Sequence, residues 1–557
     1  MRKSIILLSG LLLFVATDMV QAQTFEEWKK QQQEEFQQFK DERDKAFLEM
    51  LKEAWDYIDS DLAPPTYTEP KVDEAPKADK DNQPEETKTI TVDTSEAEEQ
   101  NKRQKREDQM PDKSTDNEKT DKAPEPKPDL EKPEPETIQT PPKDKEEVKE
   151  RKPSPIEKIK EKRDKERKTN KPVPNPDLKT QPVPNPVKEK TPEMPKGEAI
   201  MFVNQSVQLP LRSIFSDAPI KEINPEGISA WWETMSKREY EPALVMLQAQ
   251  KEALGLNDWG LAHLTNEYAK KTYPAHEPSQ NALTWFLLSK LGFEARVGYN
   301  DNLLYLLMPA NNRLFGITYY TFDGEKYYII DFDKPTSINA QLYTYQGEYP
   351  GTPLKMDLYV DRYPNFEADE DQREISFAYK GKEYKVVAKF DRSYSDFAMY
   401  YPQTELPVYF TAPASELLRS SVIRQLEKHL EEIPQDEHLN FLLRFIQLGF
   451  DYKTDHDQFG YEKFFFVDEI FYYPYSDCED RSVLFAWLVK ELLGKEVVGL
   501  KYPGHLATAV EIDRPLKGDQ FSYKDKRFIV CDPTYVNANA GMTMSRFSNT
   551  QPKIVEF

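Results

Sequence analysis

From about Ala63 to Lys196 the chain consists of Pro, Glu, Lys, Asp and Thr with almost no aromatic residue, so this stretch cannot bury enough apolar surface to offset the entropy of ordering. It is expected to be a disordered linker, residues 63–196. The near-repeats Pro172-Val173-Pro174-Asn175-Pro176 and Pro182-Val183-Pro184-Asn185-Pro186 favour extended polyproline conformations, as a spacer would. Of 557 residues, folded material must therefore lie before and after this tract.

Before it, Arg2 and Lys3 precede the apolar run Ile5 to Val15, and Val20-Gln21-Ala22 offers small residues for cleavage. Residues 1–22 read as a signal peptide, and the protein as exported to the periplasm, the cell surface or the medium. The run is too short to span a bilayer comfortably, and no membrane span is expected elsewhere. Residues 23–62 follow as an amphipathic helix, with Phe25, Trp28, Phe36, Phe39, Phe47, Met50, Leu51, Trp55 and Ile58 at helical spacing. Its apolar face is expected to dock on the folded body or to self-associate, as in a coiled coil. A net charge of −23 excludes nucleic acid as a partner, because no basic surface stands out to displace counterions from phosphates. Two cysteines are too few for an exported fold that relies on disulfides, so they invite a chemical explanation.

After the linker, aromatic and branched residues return and continue to Phe557, too much material for one compact core. The patterning predicts an α+β protein with a helix-then-strand unit over 197–338, a β-rich domain over 339–413 and a second helix-then-strand unit over 414–557.

The chemistry concentrates in the last unit. Ser476 and Glu479 are spaced as a capping box, which places Cys478 in the first turn of a helix that ends near Gly494 and is apolar nearly all round. A helix start favours a thiolate, but Asp477, Glu479 and Asp480 oppose one, so a neighbouring imidazolium must supply most of the activation. Strands from Glu496 to Tyr502 and from His505 to Ile512 flank the break Pro503-Gly504, and a third runs from about Lys524 to Asp532. With a turn centred on Gly518-Asp519, His505 falls opposite Asp532 on one face, and Cys531 points to the other as a core residue. The catalytic set is then Cys478 as nucleophile, His505 as base and Asp532 as the acid that orients it. The structural rival is a disulfide between Cys478 and Cys531.

These motifs, Ser-Asp-Cys-Glu-Asp-Arg-Ser at a helix start, Pro-Gly-His opening a strand and Cys-Asp-Pro-Thr-Tyr closing the next, resemble the transglutaminase-like superfamily of papain-type cysteine enzymes. The resemblance covers roughly Ala414 to Tyr535. It implies a core helix packed on an antiparallel sheet, a Cys-His-Asp triad, and attack on an amide or thioester carbonyl through an acyl-thioenzyme. Protein or peptide substrates follow, with no cofactor and no metal. For the oxyanion donor only the backbone amide of Cys478 is assigned. The other class of function compatible with the chain is a non-catalytic surface or periplasmic binding or scaffold protein.

Other motifs have plainer readings. His456 between Asp455 and Asp457 is a solvated loop rather than a ligand, and Tyr472, Tyr473 and Tyr475 are packing before they are a substrate groove. The run Ala282 to Gly292 parallels Leu484 to Gly494, with Trp285 matching Trp487, and strands at Ala295 to Tyr299 and Lys326 to Asp331 match Val497 to Lys501 and Arg527 to Asp532. Counting back from Gly292 puts His276 where Cys478 sits. Trp231 to Pro335 therefore reads as a degenerate transglutaminase-like repeat that has no catalytic triad.

Overall fold

The computed structural model describes residues 42–53, 55–62, 75–78, 84, 86–100, 197–301, 303–334 and 341–557, and among them the fold is α+β. The segments before the undescribed stretch 101–196 contribute β1 (Asp56–Ile58), β2 (Asp61–Leu62) and β3 (Thr87–Thr89). After it, the hairpin β4 (Gly197–Phe202) and β5 (Gln205–Pro210) precedes the helices Pro225–Ser236, Glu241–Leu254, Asp258–Thr272 and Glu277–Lys290. The amide of Gly227 donates to the Asn224 side chain at 2.7 Å and that of Gly260 to Asn257 at 3.0 Å, satisfying helix-start donors that would otherwise be orphaned. Helix Glu277–Lys290 is buried on almost every side, through Ala282, Leu283, Trp285, Phe286, Leu287 and Leu288, and forms the core of this middle unit.

Four strands follow that helix: β6 (Arg296–Asn300), β7 (Leu303–Pro309), β8 (Thr318–Phe322) and β9 (Glu325–Ile329), joined by β10 (Leu342–Thr344). They hydrogen bond in the order β10-β6-β7-β9-β8, all antiparallel. Next comes a long hairpin of β11 (Glu370–Tyr379) and β12 (Lys382–Asp391). The C-terminal unit then adds helices Glu416–Leu430 and His438–Gly449, the parallel pair β13 (Asp451–Tyr452) and β14 (Tyr475–Ser476), and a core helix Cys478–Leu493. Strands β15 (Val497–Tyr502), β16 (His505–Glu511), β17 (Gly518–Tyr523), β18 (Lys526–Cys531) and β19 (Lys553–Val555) complete it, in the order β19-β15-β16-β18-β17.

The two sheets share one plan. Each core helix leads into four strands whose first, second, fourth and third members lie side by side, with a later strand added antiparallel beside the first. The repeat expected from sequence thus extends to strand order, which helical periodicity alone could not fix.

The N-terminal segments clasp both sheets at matching edges. β2 pairs with β8 of the middle unit, and β3 pairs with β17 of the C-terminal unit. The helix that spans 42–51 packs into the middle core, where Phe47 is wholly buried and its ring lies 4.7 Å from Trp232, 5.6 Å from Tyr345 and 5.2 Å from Tyr349. Asp44 and Lys290 add a buried ion pair. Three expectations need correction here. The amphipathic helix does not run to residue 62, because Asp56–Ile58 and Asp61–Leu62 find free sheet edges and become strands. Part of the tract read as linker is ordered: Thr87–Thr89 extends a sheet and Ala97 is buried against Leu500 and Phe547, so a few residues with edge partners offset the entropy that composition alone could not. Residues 339–413 are not a separate β-rich domain. β10 belongs to the middle sheet, and the hairpin lays Phe377 on Phe441 and Phe445 of the C-terminal unit at 5.2 and 5.3 Å. The expected signal peptide and both polyproline repeats lie outside the described residues.

Phe47→Ala should lower the unfolding free energy of the middle unit by about 3 to 5 kcal/mol, as for a core aromatic. Chemical denaturation monitored by tryptophan fluorescence checks this, since Trp232 and Trp285 adjoin the deleted ring.

Candidate active site

Asp477 is the N-cap of the core helix Cys478–Leu493, with extended backbone, and its amide donates to Asp480 Oδ2 at 3.2 Å. The capping residues therefore stand one place later than the Ser476 and Glu479 expected from sequence. Ser476 cannot cap because it is held in β14 opposite Tyr452, where its Oγ accepts from Arg481 Nε at 3.3 Å. Asp480 has a further duty, as its Oδ1 accepts the Phe465 amide at 3.0 Å and ties the preceding loop to the helix. Cys478 is thus the first helical residue.

His505 is delivered by a tight hairpin. Tyr502 pairs with His505 across Pro503-Gly504, and the turn needs the left-handed backbone that Gly504 adopts at φ +66°. In β16 and β18 Thr508 pairs with Cys531; continuing that register puts Asp532 opposite Ala507, one same-face step from His505. His505 Nε2 and Asp532 Oδ2 meet at 2.9 Å. The second carboxylate oxygen accepts amides from Thr534 at 3.0 Å and Tyr535 at 3.1 Å, so Asp532 is held from both sides. The expected turn at Gly518-Asp519 is instead the start of β17, and the pairing differs by two residues from the one anticipated. A slip of two keeps every side chain on its face, which is why the pair still forms. Cys531 does point to the other face, into the layer shared with the core helix, and both cysteines are free thiols.

Alternation along β16 sends Leu506 and Val510 into the core-helix layer, whereas Ala507 and Ala509 join the outer layer with Tyr502 and Phe547. The core helix docks its first turns on the start of β16, where Ser482 Oγ donates to the Leu506 carbonyl at 3.1 Å. The Leu506 amide favours the ionised form of Cys478. The thiol therefore rests against the peptide unit that follows His505. With Nε2 committed to Asp532, the nitrogen left for the thiol is Nδ1, the one nearest the backbone.

Cys478, His505 and Asp532 are 0%, 1% and 2% exposed. Burial pushes the Cys478 thiol well up, Asp477 and then Asp532 and Glu462 push the same way, and the Leu506 amide opposes them. In this structure Sγ donates to Glu479 Oε2 at 2.9 Å. Burial also raises Glu479, to about 8, and raises Asp455 and Asp480, with Asp477 the next cause for both. Carboxylate oxygens of Asp455, Asp477 and Asp480 all lie within 4.8 Å of one another and could hold a divalent cation; protonation and the buried Arg481 damp the same charge. Arg481 is pushed down to about 10 by burial, against Tyr452, Asp477 and Asp480, and its Nη2 donates to the Phe450 carbonyl at 2.6 Å.

Aromatic residues wall the site. Phe547 lies parallel to the His505 imidazole at 5.4 Å and stacks on Tyr502 at 4.6 Å. Tyr473 is packing, stacked on Phe465 at 4.7 Å, while Tyr475 is 37% exposed. His456 is exposed on helix Asp455–Phe459. Sequence reasoning missed Glu479 as the thiol's partner, and it missed Arg481, Tyr452 and Phe547. A cation inside an otherwise apolar helix marks Arg481; the other two reach the site from distant segments and leave no local signal.

In the middle unit His276 caps its helix, its Nδ1 accepting the Ser279 amide at 3.3 Å. The residue that pairs with Asn300 across the equivalent hairpin is Leu303, so leucine stands where the C-terminal unit has His505. Ile330 donates its amide to the Leu306 carbonyl at 2.9 Å, which aligns Asp331 with Asp532. This unit has an aspartate at the position of Asp532 and a leucine at that of His505. No family model, curated protein or solved structure matches the chain.

A carboxyl whose pKa is higher folded than unfolded binds its proton more tightly in the native state, so it stabilises below its unfolded pKa and that contribution is lost as pH climbs through the folded value. Between the ordinary glutamate range and about 8, Glu479 should make Tm fall with rising pH. Glu479→Gln should flatten that fall, as checked by melts across the window.

Proposed function

We propose that the chain is an exported transglutaminase-like cysteine enzyme that cleaves or transfers peptide or isopeptide amide bonds through an acyl-thioenzyme on Cys478. The observation that carries this reading is the buried 2.9 Å bond between His505 Nε2 and Asp532, beside a thiol seated on the next peptide unit. A core helix on an antiparallel sheet, with the thiol at the helix start, is the architecture such an enzyme requires.

In the proposed cycle His505 Nδ1 takes the Cys478 proton as sulfur attacks the carbonyl carbon and the C–S bond forms. Asp532 stabilises the imidazolium. The tetrahedral oxyanion is met by the backbone amide of Cys478, and the first-turn dipole favours the same charge. The imidazolium then protonates the leaving nitrogen, the C–N bond breaks and the acyl group stays on sulfur. Water, activated by His505, releases the acid and restores the thiol. An amine in place of water would give transfer; hydrolysis is favoured because nothing among the described residues marks an amine site. Since the triad is buried, turnover requires the cover over Cys478 to open.

That same burial favours one second reading, a binding or scaffold protein in which Cys478 is core packing. An activated-ester probe followed by intact-protein mass separates them. Wild type should carry an acyl group on Cys478, and Cys478→Ala should carry none while melting within a few degrees of wild type. Asp532→Asn should slow acylation by on the order of 10⁴-fold if the carboxylate sets the tautomer. Failure of wild type to acylate under any condition would leave the scaffold.

A further inference from the structure

Among the described residues, two cations beside the site have no acidic partner. Lys453 follows β13 of the parallel pair, whose partner strand β14 leads to Cys478, with Nζ 5.3 Å from the centre of the exposed Tyr475 ring. Arg546 lies on the His505 side, its guanidinium 4.6 Å from the ring of Phe547, which in turn covers His505. Tyr452 precedes Lys453 in the chain and ends β13. Arg481 lies 5.3 Å over its ring, and both Cys478 and Arg546 act on its hydroxyl electrostatically.

Among the described residues neither Lys453 nor Arg546 makes an ion pair, although the chain carries 98 acidic residues against 75 basic ones. In such a protein an acidic neighbour is the ordinary outcome for a surface cation: Lys380, Lys382, Lys385 and Arg419 each have one. Leaving Lys453 and Arg546 unpaired keeps their charge available to something that arrives from solution. Carboxyls around Cys478 whose proton affinity burial raises do not cancel that charge fully.

We propose that Lys453 and Arg546 form a carboxylate-recognising subsite on either bank of the scissile bond, so that the preferred substrate is an acidic peptide with a Glu, Asp or terminal carboxylate beside the reacting amide. The inference rests on Cys478 being a reachable nucleophile and names the substrate class for it. Arg546 suits a planar carboxylate through its fork of donors, and Lys453 adds a mobile point charge. Opposite charge at the mouth would also steer such substrates inward at low ionic strength.

Alkylation of Cys478 by iodoacetate and by iodoacetamide isolates charge recognition from amide chemistry. In the full chain at low salt, the ratio of the two rates at Cys478, read by peptide mass spectrometry, should exceed the glutathione ratio by about tenfold, and added salt should shrink it. Lys453→Glu with Arg546→Glu should bring the ratio to or below the glutathione value. The neutral pair Lys453→Gln with Arg546→Gln should bring it to that value even if the charge reversals disturb folding. A wild-type ratio no higher than that of glutathione, or one that neither pair changes, overturns the subsite while leaving the nucleophile in place. If neither reagent labels Cys478 in the folded protein but both do in urea, the nucleophile reading fails, and the subsite with it.

Discussion

The site depends on one buried hydrogen bond, between the His505 imidazole and the Asp532 carboxylate. Desolvating a carboxylate is costly unless its lone pairs are met, and here two backbone amides and the imidazole meet them. Those amides follow Pro533 in the turn that ends β18, so the chain's exit from the sheet is also the cradle of the acid. The tight turn at Pro503-Gly504 fixes where the imidazole starts, and Phe547 lies flat against its ring. Each partner is therefore positioned by covalent neighbours rather than by flexible loops, which is what a base of fixed tautomer demands.

The same strand order occurs twice, and the His505–Asp532 pair belongs to the second copy. Both units set an apolar helix against four strands of one order, and both accept a short strand from the segments that precede residue 101. Leucine at 303 stands in the middle unit where the C-terminal unit has His505, whereas an aspartate occupies the equivalent place in both. The N-terminal residues thus contribute to both cores in one pass: Phe47 in the first, Ala97 in the second. Loss of that stretch would expose apolar surface in both units, so the segment is part of the folded body and not an appendage to it.

Much of this was legible in residues because the informative signals were local. Apolar runs around Trp285 and Trp487 announced both core helices, and Pro503-Gly504-His505 announced the hairpin. The partnership of His505 with Asp532 was legible through parity: the expected turn was misplaced, but an even shift of register leaves facing side chains facing. Three features were not legible, each for a physical reason. A strand of three residues such as Thr87–Thr89 carries no periodicity, and only a vacant sheet edge makes it a strand. The cap at Asp477 competes with a near-equivalent serine, and the choice is made by β13, which engages Ser476 from 24 residues upstream. Phe547 and Arg546 reach the site by tertiary closure of the chain's last segment, which no local pattern encodes.

What the chemistry requires most directly is a particular tautomer: proton on Nε2, shared with Asp532, and Nδ1 bare towards the thiol. Nitrogen-15 spectra of histidine-labelled protein resolve the two ring nitrogens of His505, with Asp532→Asn as reference. The account predicts a neutral imidazole protonated at Nε2 near pH 8, with that preference lost in Asp532→Asn. A proton resident on Nδ1, or a tautomer indifferent to the aspartate, would contradict it.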